Sequence, residues 1–503
     1  MSCILQDDVR AKSRDCASSV SSCTSGLISV KFCPISNNFN LIFAGNTLKK
    51  AEIVTMNEEP HDDTMISGIR RNSQFITVLN LALVTFLVLL GLSMVAPILP
   101  SYAESFQVSY ALVGFVISSF AFTRMILDMP AGLLSRKYDK KKIMILGLFL
   151  IVVASIMAGV AADYLMLVIA RMIEGAGSAL YVTAATVFLA QISGEEKRGQ
   201  WMSLYSGMLL LGSIFGPTFG GLLASSYDIR APFFAYAFVT GLGVIPTLTL
   251  PKLTNSEHNS KQDEKKSTLH DMWQVLTYPS FVLATLATFS LFFMRTGVRS
   301  TLVPLFAANN LNLDPSYIGG ILTLAGITTA VTMVPMGSLS DKIGRRNPLA
   351  LCLLMSALIV IWIPSSADLL GLSVNMAIYG AIIGLSGPIA AFVTDVSPQD
   401  KLEVSMGLYR MISDVGFIVG PLLLGYLADI TATQVPGETY SGPIGLLPFA
   451  AASVILVLAG LSLLRARDPI RERINQRRTN TTNSENNHSQ TRKDMPKRQS
   501  EHT

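Results

Sequence analysis

The stretch from Ser203 to Ala224, SLYSGMLLLGSIFGPTFGGLLA, decides how the rest of the chain is read. It is apolar throughout, yet Gly207, Gly212, Gly216, Gly220 and Gly221 recur at small-xxx-small spacing, with Pro217 among them. In water such a helix is poor, because each interior glycine costs roughly 1 kcal/mol against alanine and a proline about 3. In a bilayer the small residues let helix backbones approach closely, and neighbours satisfy the carbonyl that proline frees. The stretch returns, altered, as GLYRMISDVGFIVGPLLLGYLA at Gly407 to Ala428. A bent, glycine-faced helix that occurs twice predicts a protein built of two related halves.

The rest of the chain agrees. Of its 503 residues 50% are hydrophobic and only 15% charged, whereas soluble domains carry about 25% charged residues. This is the composition of a polytopic membrane protein. From Phe75 onward, apolar segments of spanning length lie at 76–99, 110–134, 142–162, 164–191, 202–225 and 232–250, then at 279–304, 316–339, 348–365, 369–394, 405–428 and 443–464. The expected fold is all-α, with twelve transmembrane helices arranged as two six-helix halves, 75–250 and 279–464. A polar linker, 251–278, joins them, and a basic, Asn/Ser-rich tail, 465–503, reads as disordered. Residues 1–74 read as a non-membrane extension, either disordered or upstream of a working start at Met56 or Met65. Cys3, Cys16, Cys23 and Cys33 crowd that extension at spacings that suit neither zinc nor a redox pair.

Charge sets the orientation. Lys140, Lys141, Lys142, Lys197, Lys342, Arg345, Arg346, Lys401 and the tail fall on one side; Glu104, Asp163, Asp228, Asp314, Asp368 and Asp429 fall on the other. By the positive-inside rule both termini are expected in the cytoplasm of a multi-pass cell-membrane protein. The net charge of +5 resides in loops and tail, so it implies no nucleic-acid partner.

Two segments of the first half align almost without gaps on the second. PAGLLSRKYDKKK from Pro130 matches PMGSLSDKIGRRN from Pro335, and Ala190–Pro217 matches Thr394–Pro421. With GSLSDKIGRR at Gly337–Arg346, RMIEGAGSA in the fourth span and GSIFGPTFGG at Gly212–Gly221, the chain resembles the major facilitator superfamily, and within it the drug:proton antiporter branch. The resemblance implies alternating access around a site between the halves, with Gly337, Asp341, Arg345, Arg346 and Gly132 as a cytoplasmic gate. It also implies that the fifth-span motif, Gly212, Gly216, Pro217, Gly220 and Gly221, is a seal packed against the other half. The first-half loop departs from the signature: Arg136 stands where the Asp belongs and Asp139 where the second Gly belongs, leaving Asp128 or Asp139 as a substitute acid.

Ionisable residues inside spans mark function, since each costs at least about 2.5–3.5 kcal/mol at a helix centre. The acids Glu174, Asp414 and Asp128 are the candidates for proton coupling, and Arg124, Arg171, Arg295 and Arg410 for charge pairing or substrate contact. Spacing suggests Arg124/Asp128 and Arg410/Asp414 as i,i+4 pairs and Arg171/Glu174 as an i,i+3 pair. Arg295 has no acid on its own helix. The expected function is proton-coupled efflux of drugs or lipophilic metabolites by a single chain, without cofactor or metal. The alternative is an organic-anion or metabolite carrier; a membrane enzyme or a non-transporting sensor is disfavoured, because the sequence shows no P-loop, metal cluster or nucleophile constellation.

Overall fold

The computed structural model describes residues 63–193, 198–252, 269–432, 442–472 and 476. Among them lie twelve apolar helices in chain order: α1 Asp63–Val95, α2 Tyr110–Lys137, α3 Lys140–Gly159, α4 Tyr164–Ile192, α5 Arg198–Ser226, α6 Ala231–Thr249, α7 Pro279–Asn309, α8 Pro315–Ile343, α9 Arg346–Trp362, α10 Leu369–Val396, α11 Leu402–Thr431 and α12 Leu447–Leu463. The first eleven are long and apolar enough to cross a membrane; α12, with 17 residues, is shorter. At 1.5 Å per residue α12 still reaches about 26 Å. The expected helical fold is therefore present, as two six-helix halves.

Loop acids start several of these helices. Asp163, Asp368 and Asp314 each occupy an N-cap and accept from a backbone N–H of the first turn, so one residue type supplies both the cap and the acidic side of the charge bias. We call the two ends of the helices the acidic end and the basic end, after their loops.

The lipid-facing surface has its own pattern. Leu146, Phe149, Val153 and Ile156 of α3 are exposed, as are Phe234, Phe238, Leu242 and Ile245 of α6, Leu351, Met355, Leu358 and Trp362 of α9, and Val454, Val457 and Leu461 of α12. Each set follows three- and four-residue steps, one stripe per helix. A soluble protein does not expose such patches; in a bilayer they are the solvated face.

Three stretches differ from the sequence expectation. The first helix starts at Asp63, eleven residues before the apolar segment of Gln74–Val95, while residues 1–62 lie outside those described. The linker ends in a short helix, Leu269–Leu276, that buries Val275. Residues 465–472 fold back on the loop between α8 and α9. There Asp468 Oδ2 accepts from Arg346 N at 3.0 Å, and Gly344, at φ 93°, leaves room that a Cβ would not, since it would lie 2.5 Å from that oxygen.

The halves meet along two seams, α2 with α11 and α8 with α5, related by the repeat. On one, a Cβ at Gly425 would meet Tyr110 O at 2.3 Å and one at Gly114 would meet Pro421 O at 2.1 Å. On the other, the matching positions repeat the contact: Gly221 on Pro315 O at 2.4 Å and Gly319 on Pro217 O at 2.2 Å. All four lie toward the acidic end. Toward the basic end the helices part: Gly207, Gly337 and Gly407 have nothing within 4 Å of where a side chain would start. Met129, Leu133, Val331 and Val334 are exposed there. The molecule is closed at the acidic end and open at the basic end.

The glycine stripe of α5 serves two neighbours. Gly212, Gly216 and Gly220 seat the backbone of α1 in the same half, at Phe86, Leu90 and Met94, while Gly221 and the Pro217 carbonyl meet the other half. The expectation that the whole motif packs across the halves is thus corrected. α11 repeats the division, with Gly416 and Gly420 on α7 and Gly425 on α2.

Candidate functional site

Where the α2–α11 seam stops, Arg124 Nη2 donates to Asp414 Oδ1 across the two halves. Just before it Ser118 Oγ donates to Ile418 O at 2.7 Å. Arg124 also lies near the rings of Phe120 (5.9 Å) and Phe417 (5.7 Å), one from each half. The i,i+4 pairs suggested by spacing are not what forms: Arg124 reaches α11 rather than Asp128 on its own helix, so Asp414 takes its partner from α2 rather than Arg410. Asp128 lies within electrostatic reach of Arg124, Arg410 and Asp414. Two acids and two bases therefore gather where the seam opens. The separation of 290 residues between Arg124 and Asp414 explains why helical periodicity does not reveal the bond.

The pair on α4 forms as its spacing suggests. Arg171 Nη1 donates to Glu174 Oε2 at 2.5 Å, both side chains are buried, and the guanidinium lies 4.8 Å from the Phe120 ring. Glu174 Oε1 and Arg171 Nε have no hydrogen-bond partner among the described residues. Tyr236 of α6 stands beside the pair, against the bare backbone of Gly91, where a Cβ would lie 2.0 Å from its ring. Phe120 thus touches both arginines and links the α4 pair to the α2–α11 pair.

Arg295 and Arg299 lie in α7 on a π-helical stretch, Met294–Leu302. Ser300 Oγ and Thr301 Oγ1 donate to carbonyls five residues back, Arg295 O and Thr296 O. Pro304 lacks the N–H that an α-helix would offer to Ser300 O, which favours the wider turn. Arg299 Nη2 donates to Leu322 O at 3.0 Å. Arg295 stands out in the sequence as an intramembrane charge, whereas the wider turn that carries it has no residue pattern of its own.

At the basic end the complete loop signature acts within its own half. Arg345 donates to Asp341 Oδ1 and to Asp395 Oδ2 of α10, each at 2.7 Å. Asp395 was not singled out by sequence; it directly follows the last residue assigned to its span. Arg346 Nη1 donates to Ala466 O, just past α12. The same position in the first half is Lys141, whose Nζ donates to Leu248 O and Leu250 O at the end of α6. Asp139 caps α3 by accepting from Lys141 N and lies within electrostatic reach of Lys140, the repeat counterpart of Arg345.

At the acidic end Asp429 of α11 accepts from Tyr110 N at 2.6 Å and Ala111 N at 2.9 Å, placing a carboxylate from one half on the amino terminus of α2 in the other. Asn309 donates to Glu104 Oε1 and Tyr110 Oη, and Tyr110 Oη donates to Gly442 O. On the other seam Asp314 caps α8 itself; hydrogen bonds from Ser316 N and from Ser225 of α5 hold its carboxyl below the usual range. Serine and aspartate have exchanged places between the copies: Ser109 and Asp429 on one seam, Asp314 and Ser225 on the other. The repeat alignment carries that signal. No group of three His, Cys, Asp or Glu among the described residues could hold a metal ion.

Twelve spans, an internal repeat and a charged junction between halves find a direct match. The profile of the Major Facilitator Superfamily matches residues 81–306 and 284–494. The chain belongs to this superfamily. It is 27% identical over 348 residues to an uncharacterised MFS-type transporter, MJ1560, of Methanocaldococcus jannaschii, covering 69% of this chain and 89% of that protein. It is 25% identical over 350 residues to multidrug resistance protein 2 of Bacillus subtilis, covering 69% and 87%, and 24% identical over 347 residues to the quinolone resistance protein NorA of Staphylococcus aureus, covering 69% and 88%. In fold it resembles an inward-facing, occupied bacterial homologue of the human lysosomal transporter Spinster (TM-score 0.64, 16% identity, 77% of this chain and 96% of that one). It also resembles the nucleoside transporter NupG (TM-score 0.64, 16% identity, 78% and 100%). The chain is thus a multi-pass membrane transporter of small molecules.

Proposed function

We propose that this transporter exports lipophilic small molecules in exchange for protons, its halves 75–250 and 279–464 rocking about the junction where Arg124 meets Asp414. The observation that carries this reading is that ion pair, the last contact of the closed seam. With both termini in the cytoplasm, as the loop charges imply, the conformation described above is the inward-facing one. A proton arriving at Asp414 neutralises the carboxylate and frees Arg124, which loosens the seam at the point where it must unzip for the acidic end to open. Asp128 and Arg410, beside the pair, are positioned to take up the released charges, and Glu174 with Arg171 forms a second acid–base unit joined through Phe120. When the basic end closes, Gly337, Gly132, Asp341 and Arg345 become the gate on that side. Multidrug and quinolone resistance proteins among the relatives support export of apolar compounds. A carrier that works as a single chain, rather than an enzyme, fits this arrangement.

The test is ethidium flux in inverted vesicles with and without an imposed pH gradient. Wild-type protein is expected to accumulate ethidium only with the gradient, and Asp414→Asn to lose that dependence. Unchanged gradient-driven accumulation by Asp414→Asn removes Asp414 from the coupling role.

A further inference from the structure

We propose that Arg295 and Tyr379 form a receptor for the carboxylate of a lipophilic organic anion, within the space between the halves. The proposal rests on the transport reading and specifies a class of molecule that its site accepts. Between Met294 and Val298 every residue is buried except Arg295, whose side chain is exposed. That side chain lies within electrostatic range of Arg124, on the facing half, and of Tyr379 on α10. It therefore opens into the gap between the halves and not into lipid.

The charge there is unbalanced. The groups acting on Arg295 and Arg299 are each other, Arg124 and Tyr379, and no carboxylate is among them. Arg124 is engaged by Asp414 and Arg299 by the carbonyl of Leu322. The guanidinium of Arg295 has neither a hydrogen bond nor an ion pair among the described residues. Tyr379, 2% exposed, has a hydroxyl without a partner, and Asn375, one turn away on α10, has an unpartnered Oδ1. A cation at this depth beside a second arginine is costly unless an anion joins it.

The geometry favours a particular anion. A guanidinium binds a carboxylate through two parallel N–H bonds, and the phenolic O–H of Tyr379 supplies a further donor. Across the gap the rings of Phe120 and Phe417 beside Arg124 offer apolar surface to the rest of the molecule. Two arginines one turn apart repel a cationic ligand from the same position. The π-helical turn belongs to this arrangement, since such turns concentrate at functional sites.

Calorimetric titration of the detergent-purified full chain with naphthylacetate and with its neutral isostere naphthylacetamide tests the proposal. Wild-type protein is expected to prefer the acid by about tenfold or more. Arg295→Gln should abolish that preference while still binding the amide, Arg295→Lys should restore part of it, and Tyr379→Phe should weaken acid binding several-fold. Equal binding of acid and amide by wild type, or a preference that survives Arg295→Gln, overturns the site. If Arg295→Gln does not fold, Arg295→Lys decides: a reduced preference supports the fork and an unchanged one overturns it. Ethidium flux by wild type, measured alongside, separates the two readings. Absent flux with intact acid preference removes the exporter and keeps the receptor; intact flux without preference removes the receptor alone.

Discussion

The two seams between the halves descend from one sequence unit and share their backbone contacts, yet their side-chain chemistry differs. At the acidic end the match is nearly atom for atom: Gly425 and Gly114 on one seam repeat Gly221 and Gly319 on the other. Midway they diverge. The α2–α11 seam ends in the ion pair Arg124–Asp414. By the repeat, those two positions are Thr329 and Leu210 on the α8–α5 seam, which is held by Thr218 and Thr323 instead. Duplication conserved what lets two backbones touch, and it freed one seam to carry charge while the other stayed neutral.

The largest expected effect comes from breaking the charged seam. Asp414→Asn leaves the half-buried Arg124 guanidinium without its anion, which costs about 3 kcal/mol, the low end for losing one partner of a buried pair. Thermal unfolding in detergent should show that loss. Replacing both, Arg124→Thr with Asp414→Leu, copies the neutral seam. That double variant should regain most of the stability and still lack gradient-driven flux, because hydrophobic replacement of a whole pair is often neutral or stabilising. If it retains pH coupling, the difference between the seams is not where coupling resides.

Second in size are substitutions at the shared contacts. Gly114→Val and Gly319→Val would force atoms against Pro421 O and Pro217 O, at 2.1 and 2.2 Å from the first added carbon. Each should cost about 1–3 kcal/mol of closure at the acidic end. Labelling of a cysteine placed at that end should rise in both variants. A rise in only one would show that the seams are not equivalent even in backbone packing.

A smaller contrast separates Asp429 from Asp314. Asp429→Ala removes a carboxylate that bridges the halves and should increase cysteine labelling at the acidic end. Asp314→Ala removes a cap, costing about 1 kcal/mol of α8 stability, together with one neutral hydrogen bond from Ser225 of the other half, and should raise that labelling less than Asp429→Ala does. The smallest effect belongs to Thr323→Val, which deletes the two bonds its hydroxyl accepts from Thr218, at 2.7 Å from Oγ1 and 3.2 Å from N, and should lower the melting stability by about 1 kcal/mol.

How much of this was readable in the sequence depends on the range of the interaction. Spans, loops and the repeat are properties of consecutive residues, so hydropathy and a fixed offset reveal them. The Arg171–Glu174 pair is one helical turn long and was equally accessible. The partner of Asp414 was not, because periodicity proposes only neighbours on the same helix, and the true partner is 290 residues away. Asp395 and Asp468 escaped for a related reason: each meets the α8–α9 loop through folding, with no motif of its own. The division of the α5 glycine stripe between α1 and the other half was hidden as well, since small residues declare a close approach without naming who approaches.

The exchange of serine and aspartate at the acidic end has a mechanical consequence. α8 carries its counter-charge in Asp314 and keeps it wherever the half moves. α2 borrows its own from Asp429 of the opposite half, at 2.6 and 2.9 Å. In the proposed rocking, α8 departs with its anion and gives up only the Ser225 hydrogen bond, whereas α2 leaves its anion behind. A door of this kind has two unlike edges, and the borrowed carboxylate makes α2–α11 the one that must give up a charge contact to part.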